Sequence, residues 1–156
     1  FTSQGVPFIF AGDEVMRDKK GVHNSYNSPD NINTIDWRQK TTYREVFDYI
    51  KDLIALRKTH PAFRMGDADM VRKYMEFLPV EGSNVIAFIL KDHANGDNWK
   101  NIIVAFNSRK DLAKIAIPKG SYTIVCKDGK INQVGMGKVN GENLIVPAQS
   151  AMIIHQ

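Results

Sequence analysis

At 156 residues, with 43% hydrophobic and 24% charged side chains, the chain has the composition of an ordinary globular protein and not that of a disordered one. Its net charge of +4 is spread evenly: residues 1–65 hold ten Lys/Arg against eight Asp/Glu, and residues 66–156 hold eleven against nine. With no basic stripe, nucleic acid is excluded as the expected partner. The lone Cys126 rules out an internal disulfide and a cysteine-built metal site, and no apolar run approaches the ~18 residues of a transmembrane segment.

Val6-Pro7-Phe8-Ile9-Phe10-Ala11, closed by Gly12, is continuously apolar and predicts a strand buried on both faces, as in a parallel sheet. It stands almost at the start of the chain with no leader before it. A lone buried strand is not a stable unit, so this pattern is expected of a piece of a longer protein.

From Gly12 to about Lys40 the chain is polar, without helical or strand period. A loop of that length is expected to be functional. Its centre, His23 to Asn33, surrounds Tyr26 with short hydrogen-bonding side chains. Asn and Asp groups beside a stacking aromatic suit the hydroxyls and the apolar face of a sugar, but the same residues also serve ordinary turns, and composition leaves both readings open. His23 stands alone and reads as a surface residue, so no metal is expected. Asp13 and Glu14 follow the apolar run directly. Neighbours in an extended segment point to opposite faces, so they do not read as a glycosidase pair of carboxyls ~5–5.5 Å apart.

Thr42 with Glu45 three positions on forms a capping box and predicts a helix from there. Tyr43, Val46, Phe47, Ile50, Leu53, Ile54 and Arg57 fall on one helical face, and Pro61 is expected to stop the helix near Thr59. Strand, loop and helix together make one βα unit.

Beyond Phe63 the period changes, and Gly66 with two nearby aspartates marks a boundary. Eight short runs then predict strands: 71–77, 85–91, 101–107, 112–117, 122–126, 130–134, 143–146 and 151–155. The segments Glu81–Asn84, Asn95–Asn98, Lys127–Gly129 and Asn140–Glu142 are expected as turns between them. The expected domain over 65–156 is an antiparallel β-sandwich. Of its aromatics, Tyr74, Phe77, Phe88, Phe106 and Tyr122 fall on strand patterns and are expected mostly in the core. Trp99, after an Asn-Gly-Asp turn, is expected to be exposed.

Three stretches, in this order, carry a resemblance. Gln4-Gly5-Val6-Pro7 with Ala11-Gly12-Asp13-Glu14 resembles the last barrel strand of the α-amylase family. Gly21 to Asn33, closing with Ile35-Asp36-Trp37, resembles the loop that follows in type I pullulanases. Leu53 to Arg64 resembles their last barrel helix and its exit.

The resemblance implies that residues 1–64 are the last strand, substrate loop and last helix of a (β/α)8 barrel, followed by an amylase-type β-domain over 65–156. It implies a retaining hydrolase of α-1,6-glucosidic linkages in pullulan, starch or glycogen, with no cofactor. The nucleophile, acid/base and stabilising aspartate would belong to earlier strands, so no catalytic residue is expected here and the chain alone is expected to be inactive. What carries over is glucan contact by Asp30 and Asn33, with Asn24 and Tyr26 lining nearby; Pro29 departs from the S-G-D of some members. Gly12 and Glu14 would shape the strand end, and Trp99 is the candidate for a secondary glucan contact. The implied partners are the α-glucan and the rest of the barrel. The competing reading is a carbohydrate-binding or purely structural β-sandwich module.

Overall fold

The computed structural model describes residues 1–156. The chain packs as two compact units, one of residues 7–52 and one of residues 1–6 with 53–156. No helix is long and apolar enough to cross a membrane.

In the unit 7–52 the expected buried strand is absent. Residues 6–10 join no ladder, and Phe8 is 94% exposed. A strand apolar on both faces needs hydrogen-bonded neighbours and two covering layers, and this chain provides neither. Polar sequence dominates the rest of the unit, interrupted by a single turn of 3₁₀ helix at Asp13–Val15 and the short helices α1 (Asp30–Asn33) and α2 (Gln39–Thr42).

Helix α3 runs over Arg44–Thr59 and ends where Pro61 requires. Its start differs from the capping-box expectation. Thr42 closes α2, Tyr43 leaves helical geometry at φ −107° and ψ 43°, and α3 begins after that break. Of the expected apolar face, Val46, Phe47, Ile50 and Leu53 are half-buried.

The larger unit is a seven-stranded, all-antiparallel sheet. Residues 71–77, expected as one strand, split into helix α4 (Ala68–Tyr74) and a short strand β1 (Met75–Phe77). The reason is local: the Asp67 carboxylate accepts the Met70 N–H, capping a helix start that the β-branched Val71 alone does not reveal. Strands β2 (Val85–Leu90) and β3 (Ile102–Asn107) follow close to their expected bounds.

Two expected strands then fuse into one, β4 (Ala113–Lys127), whose register shifts between Ala116 and Gly120 around Pro118. Pro118 has no N–H to give the ladder, so the strand bulges there instead of ending. Asp128 and Gly129 both take positive φ, 52° and 68°, which is what a two-residue type I′ hairpin into β5 (Lys130–Ile131) demands. The expected turn at Asn140–Glu142 lies inside β6 (Lys138–Val146), where Gly141 pairs with Gly120 opposite the bulge. Strand β7 is Ser150–His155.

The strand order is β1-β2-β3-β7-β4-β5, with β6 also on β4. The sandwich is therefore one sheet folded on itself through the bulged β4. Val85, Ala87, Ile103, Ala105, Met152 and Ile154 share a single core with Ile115, Ile117, Leu144 and Val146. Tyr122, fully buried in that core, donates its hydroxyl proton to the Pro118 carbonyl at 2.8 Å. On the opposite face of the sheet Phe88, Leu90, Ile102, Val104 and Ile153 are buried as well. Phe77 and Phe106, expected in the core, are instead exposed, being on an edge strand and near a strand end.

Candidate functional site

The polar loop is organised by a sharp turn and two cations. Gly12 sits at φ 103°, and a Cβ there would lie 2.7 Å from Arg17 Cβ and Cδ, so only glycine fits. The Glu14 carboxylate accepts the Gly12 N–H at 3.0 Å and the Asp13 carboxylate accepts the Phe10 N–H at 3.3 Å. Both acids are engaged in shaping the turn.

Arg17 then reaches back, donating to the carbonyls of Ala11 and Asn33. Lys19 Nζ donates to Asn33 Oδ1 at 2.6 Å and to Ser25 Oγ at 2.8 Å. Asn33 spends its own amide protons on the carbonyls of Ser25 and Ser28, at 2.7 and 2.8 Å. Arg17, Lys19, Ser25, Ser28 and Asn33 all lie within the loop, and their bonds close it on itself.

Around the hub the expected contact residues divide. Tyr26, within the turn closed by Ser28 N–H on the Ser25 carbonyl, is 84% exposed. Asn24 is exposed as well. Asp30 opens helix α1 after Pro29, whose φ of −67° and ψ of 170° lead the chain into it. It lines a cleft of about 490 Å³ together with Arg17, Asp18, Lys20, Thr34 and Gln39. Asn33 differs from these, because its amide is committed to Lys19, Ser25 and Ser28. Asp36, at the edge of the same cleft, is held below the usual carboxylate range by its hydrogen bonds from Arg38.

The other constellation lies at the end of helix α3. Arg57, buried on the helix, donates Nη1 to the carbonyls of Phe1 and Ser3 at 2.8 and 2.7 Å, and Nη2 to that of Gly5 at 2.5 Å. Gln4 uses both ends of its amide, donating to the Ala62 carbonyl and accepting the Met65 N–H. Residues 1–5 are thus fastened to the helix exit. An arginine on an otherwise apolar helical face was the sequence signal for this clamp.

Trp99 is half-buried, with His60 stacked on one face and His155 on the other at centroid distances of 3.5 and 3.8 Å. Both ring faces are occupied, and a sugar could meet only the edge. Asp97, buried, accepts from His60 Nδ1 at 2.9 Å, from the Trp99 N–H at 2.9 Å and from the Ala62 N–H at 3.1 Å. The three residues of the stack are too far apart in sequence for any spacing to announce them.

No group of His, Cys, Asp and Glu could hold a metal ion. The loop offers an exposed aromatic ring, Tyr26, and a polar cleft lined in part by Asp30, groups able to stack on and hydrogen-bond to a ligand.

Residues 71–130 match the family described as pullulanase, all-beta domain. The chain is 42% identical over 125 residues to the pullulanase of Bacillus subtilis (strain 168), covering 80% of this chain and 17% of that protein. Its fold superimposes on the pullulanase from Bacillus acidopullulyticus with a TM-score of 0.94 and 45% identity, over 99% of this chain and 19% of the other.

The chain belongs to the pullulanase family. It spans about a fifth of the length of these relatives. A further pullulanase structure, the type I protein of Bacillus subtilis str. 168 complexed with maltose, matches 97% of this chain and 21% of its own length at 35% identity and a TM-score of 0.88. Within this pullulanase segment the all-beta domain match starts inside α4 and ends at the first residue of β5.

Proposed function

We propose that this chain supplies a substrate-lining loop and the β-domain of a retaining glycoside hydrolase that cleaves α-1,6-glucosidic linkages in pullulan, starch or glycogen. In this reading residues 1–64 are the last strand, loop and helix of a (β/α)8 barrel, and residues 65–156 are the domain that follows. The single observation that carries it is the match of 99% of the chain to a pullulanase structure at a TM-score of 0.94. Exposed apolar side chains along residues 6–10 support it, since they have the composition of a strand awaiting neighbours. The glucan-facing residues are then Tyr26, Asn24 and Asp30, the last in the polar cleft. Asn33 stands with them as the fourth residue of the motif.

The catalytic carboxylates would come from other strands, so this chain by itself does not turn over. Incubating it with pullulan and measuring reducing ends should give no release above a buffer control; turnover would sink the reading. In the full-length enzyme, Tyr26→Ala and Asp30→Ala should each lower kcat/KM roughly 5- to 100-fold, as when a stacking or polar contact to the sugar is lost. Unchanged kcat/KM in both would remove the loop from the substrate path.

A second reading, in which the β-domain is structural rather than glucan-binding, draws support from the covered faces of Trp99. Calorimetric titration of the chain with maltooligosaccharides separates the two, since a glucan-binding module would give saturable heat that Trp99→Ala abolishes.

A further inference from the structure

The function proposed above assigns Asn33 to the sugar, yet its side chain is turned into its own loop. Its two amide protons go to the Ser25 and Ser28 carbonyls and its Oδ1 accepts from Lys19 Nζ. Its backbone carbonyl accepts from Arg17. Asn33 is a knot that ties residues 25 and 28, on either side of Tyr26-Asn27, to residue 33 behind Asp30.

Lys19 tightens that knot from outside. Its ammonium has three protons, and two of them are placed, one on Asn33 Oδ1 at 2.6 Å and one on Ser25 Oγ at 2.8 Å. These are charge-assisted bonds to the two ends of the segment that presents Tyr26 and Asp30. Lys19 is half-buried, and loss of hydration together with the nearby Arg17 lowers its pKa. Phe10 lies under both cations, 5.4 Å from Arg17 Cζ and 5.7 Å from Lys19 Nζ, and limits how far either side chain can swing.

The geometry points to Lys19 as a positioning residue for glucan binding: through Asn33 and Ser25 it fixes the loop that holds Tyr26 and Asp30, and it touches no sugar itself. This rests on the reading that Tyr26 and Asp30 meet the glucan. Sequence pattern gives no sign of it, because a lysine in an Asn- and Ser-rich loop looks like any solvated charge. Arginine can donate two bonds in the same directions, whereas methionine keeps the stem and loses both.

The test uses the full-length enzyme with Lys19→Met, Lys19→Arg, Tyr26→Ala and Asp30→Ala, alone and combined. Two readouts are taken: KM and kcat on pullulan, and the rate of chymotryptic cleavage at the Tyr26–Asn27 bond followed by mass spectrometry. Lys19→Met should raise KM roughly tenfold while leaving kcat within about twofold, and should speed cleavage at Tyr26 by a similar factor. Lys19→Arg should restore most of both. On the Tyr26→Ala, Asp30→Ala background, Lys19→Met should change KM less than about twofold, because the contacts it positions are gone.

An unchanged cleavage rate in Lys19→Met would overturn the tether. So would an undiminished KM effect on the background lacking Tyr26 and Asp30, which would mean that Lys19 meets the sugar directly or acts through the fold at large. If cleavage accelerates but Tyr26→Ala and Asp30→Ala leave KM unchanged, the tether stands and it is the glucan assignment of the loop that falls.

Discussion

The indole of Trp99 lies on the imidazole of His60, centroids 3.5 Å apart and planes 22° apart. His60 is the last residue before the Pro61–Arg64 turn at the exit of α3, while Trp99 leads into β3 and stacks its other face on His155 of β7. By strand alternation His155 shares a face with Ile153, so the stack seals that buried side of the sheet at the helix exit.

Removing the indole should therefore cost stability. Trp99→Ala is expected to lower the folding free energy by about 3–5 kcal/mol, the range for truncating a packed aromatic. Denaturant unfolding would measure this, and glucan affinity of the full-length enzyme should stay within about twofold of wild type. A variant with unaltered stability but lost affinity would return Trp99 to the role of a sugar platform.

Acid sensitivity should reside in the same cluster. Burial acts to raise the Asp97 carboxyl, but the hydrogen bonds from His60 and from the N–H groups of Trp99 and Ala62 outweigh it and hold it below the usual range. A carboxyl that is more acidic folded than unfolded adds stability above its unfolded pKa and loses it as pH falls through the folded value. His155 is lowered mainly by burial, so its unfolded form takes up a proton first and stability declines below about pH 6.5. In thermal melts across pH, His155→Phe should flatten the fall near neutrality and Asp97→Asn the fall in the carboxylate range. Parallel profiles for wild type and both variants would refute this.

Arg57 should be irreplaceable by lysine. Its two terminal nitrogens satisfy three backbone carbonyls of residues 1–5 in a fixed fork, which a single ammonium cannot span. Arg57→Lys is expected to destabilise the chain by about 1–3 kcal/mol and to speed amide exchange in residues 2–5. Retained protection there would show that the segment is held by other contacts, Gln4 foremost.

At the loop entrance, Gly12→Ala should be harmful, since Gly12 is buried. A methyl group would meet Arg17 at 2.7 Å, and φ of 103° disfavours any L side chain. The expected cost is about 1–3 kcal/mol, with faster proteolysis of residues 13–33 as the specific sign. Substitution without either effect would mean that the turn can rebuild around a Cβ.

The sequence by itself determined the end of helix α3, because proline acts on its immediate neighbour. It also determined β2, β3, β7 and the Asp128-Gly129 hairpin, where period and turn chemistry are local. The polar loop, without helical or strand period, was legible for the same reason.

The tertiary structure decided whatever depends on partners distant in sequence. Residues 6–11 read as a strand, but a strand is made by its neighbours, and here none pairs with it. Residues 112–117 and 122–126 read as two strands, but Gly141 opposite Gly120 lets the ladder resume, so two strands become one and the sandwich becomes a folded sheet. Asn33 is bonded to Lys19, Ser25 and Ser28, a set of partners that no sequence pattern announces. Trp99 reads as a free ring until residues 39 positions before it and 56 after it close over both faces. Hydrogen bonds and ring stacks have a range of a few ångströms, and only the fold brings such residues within it.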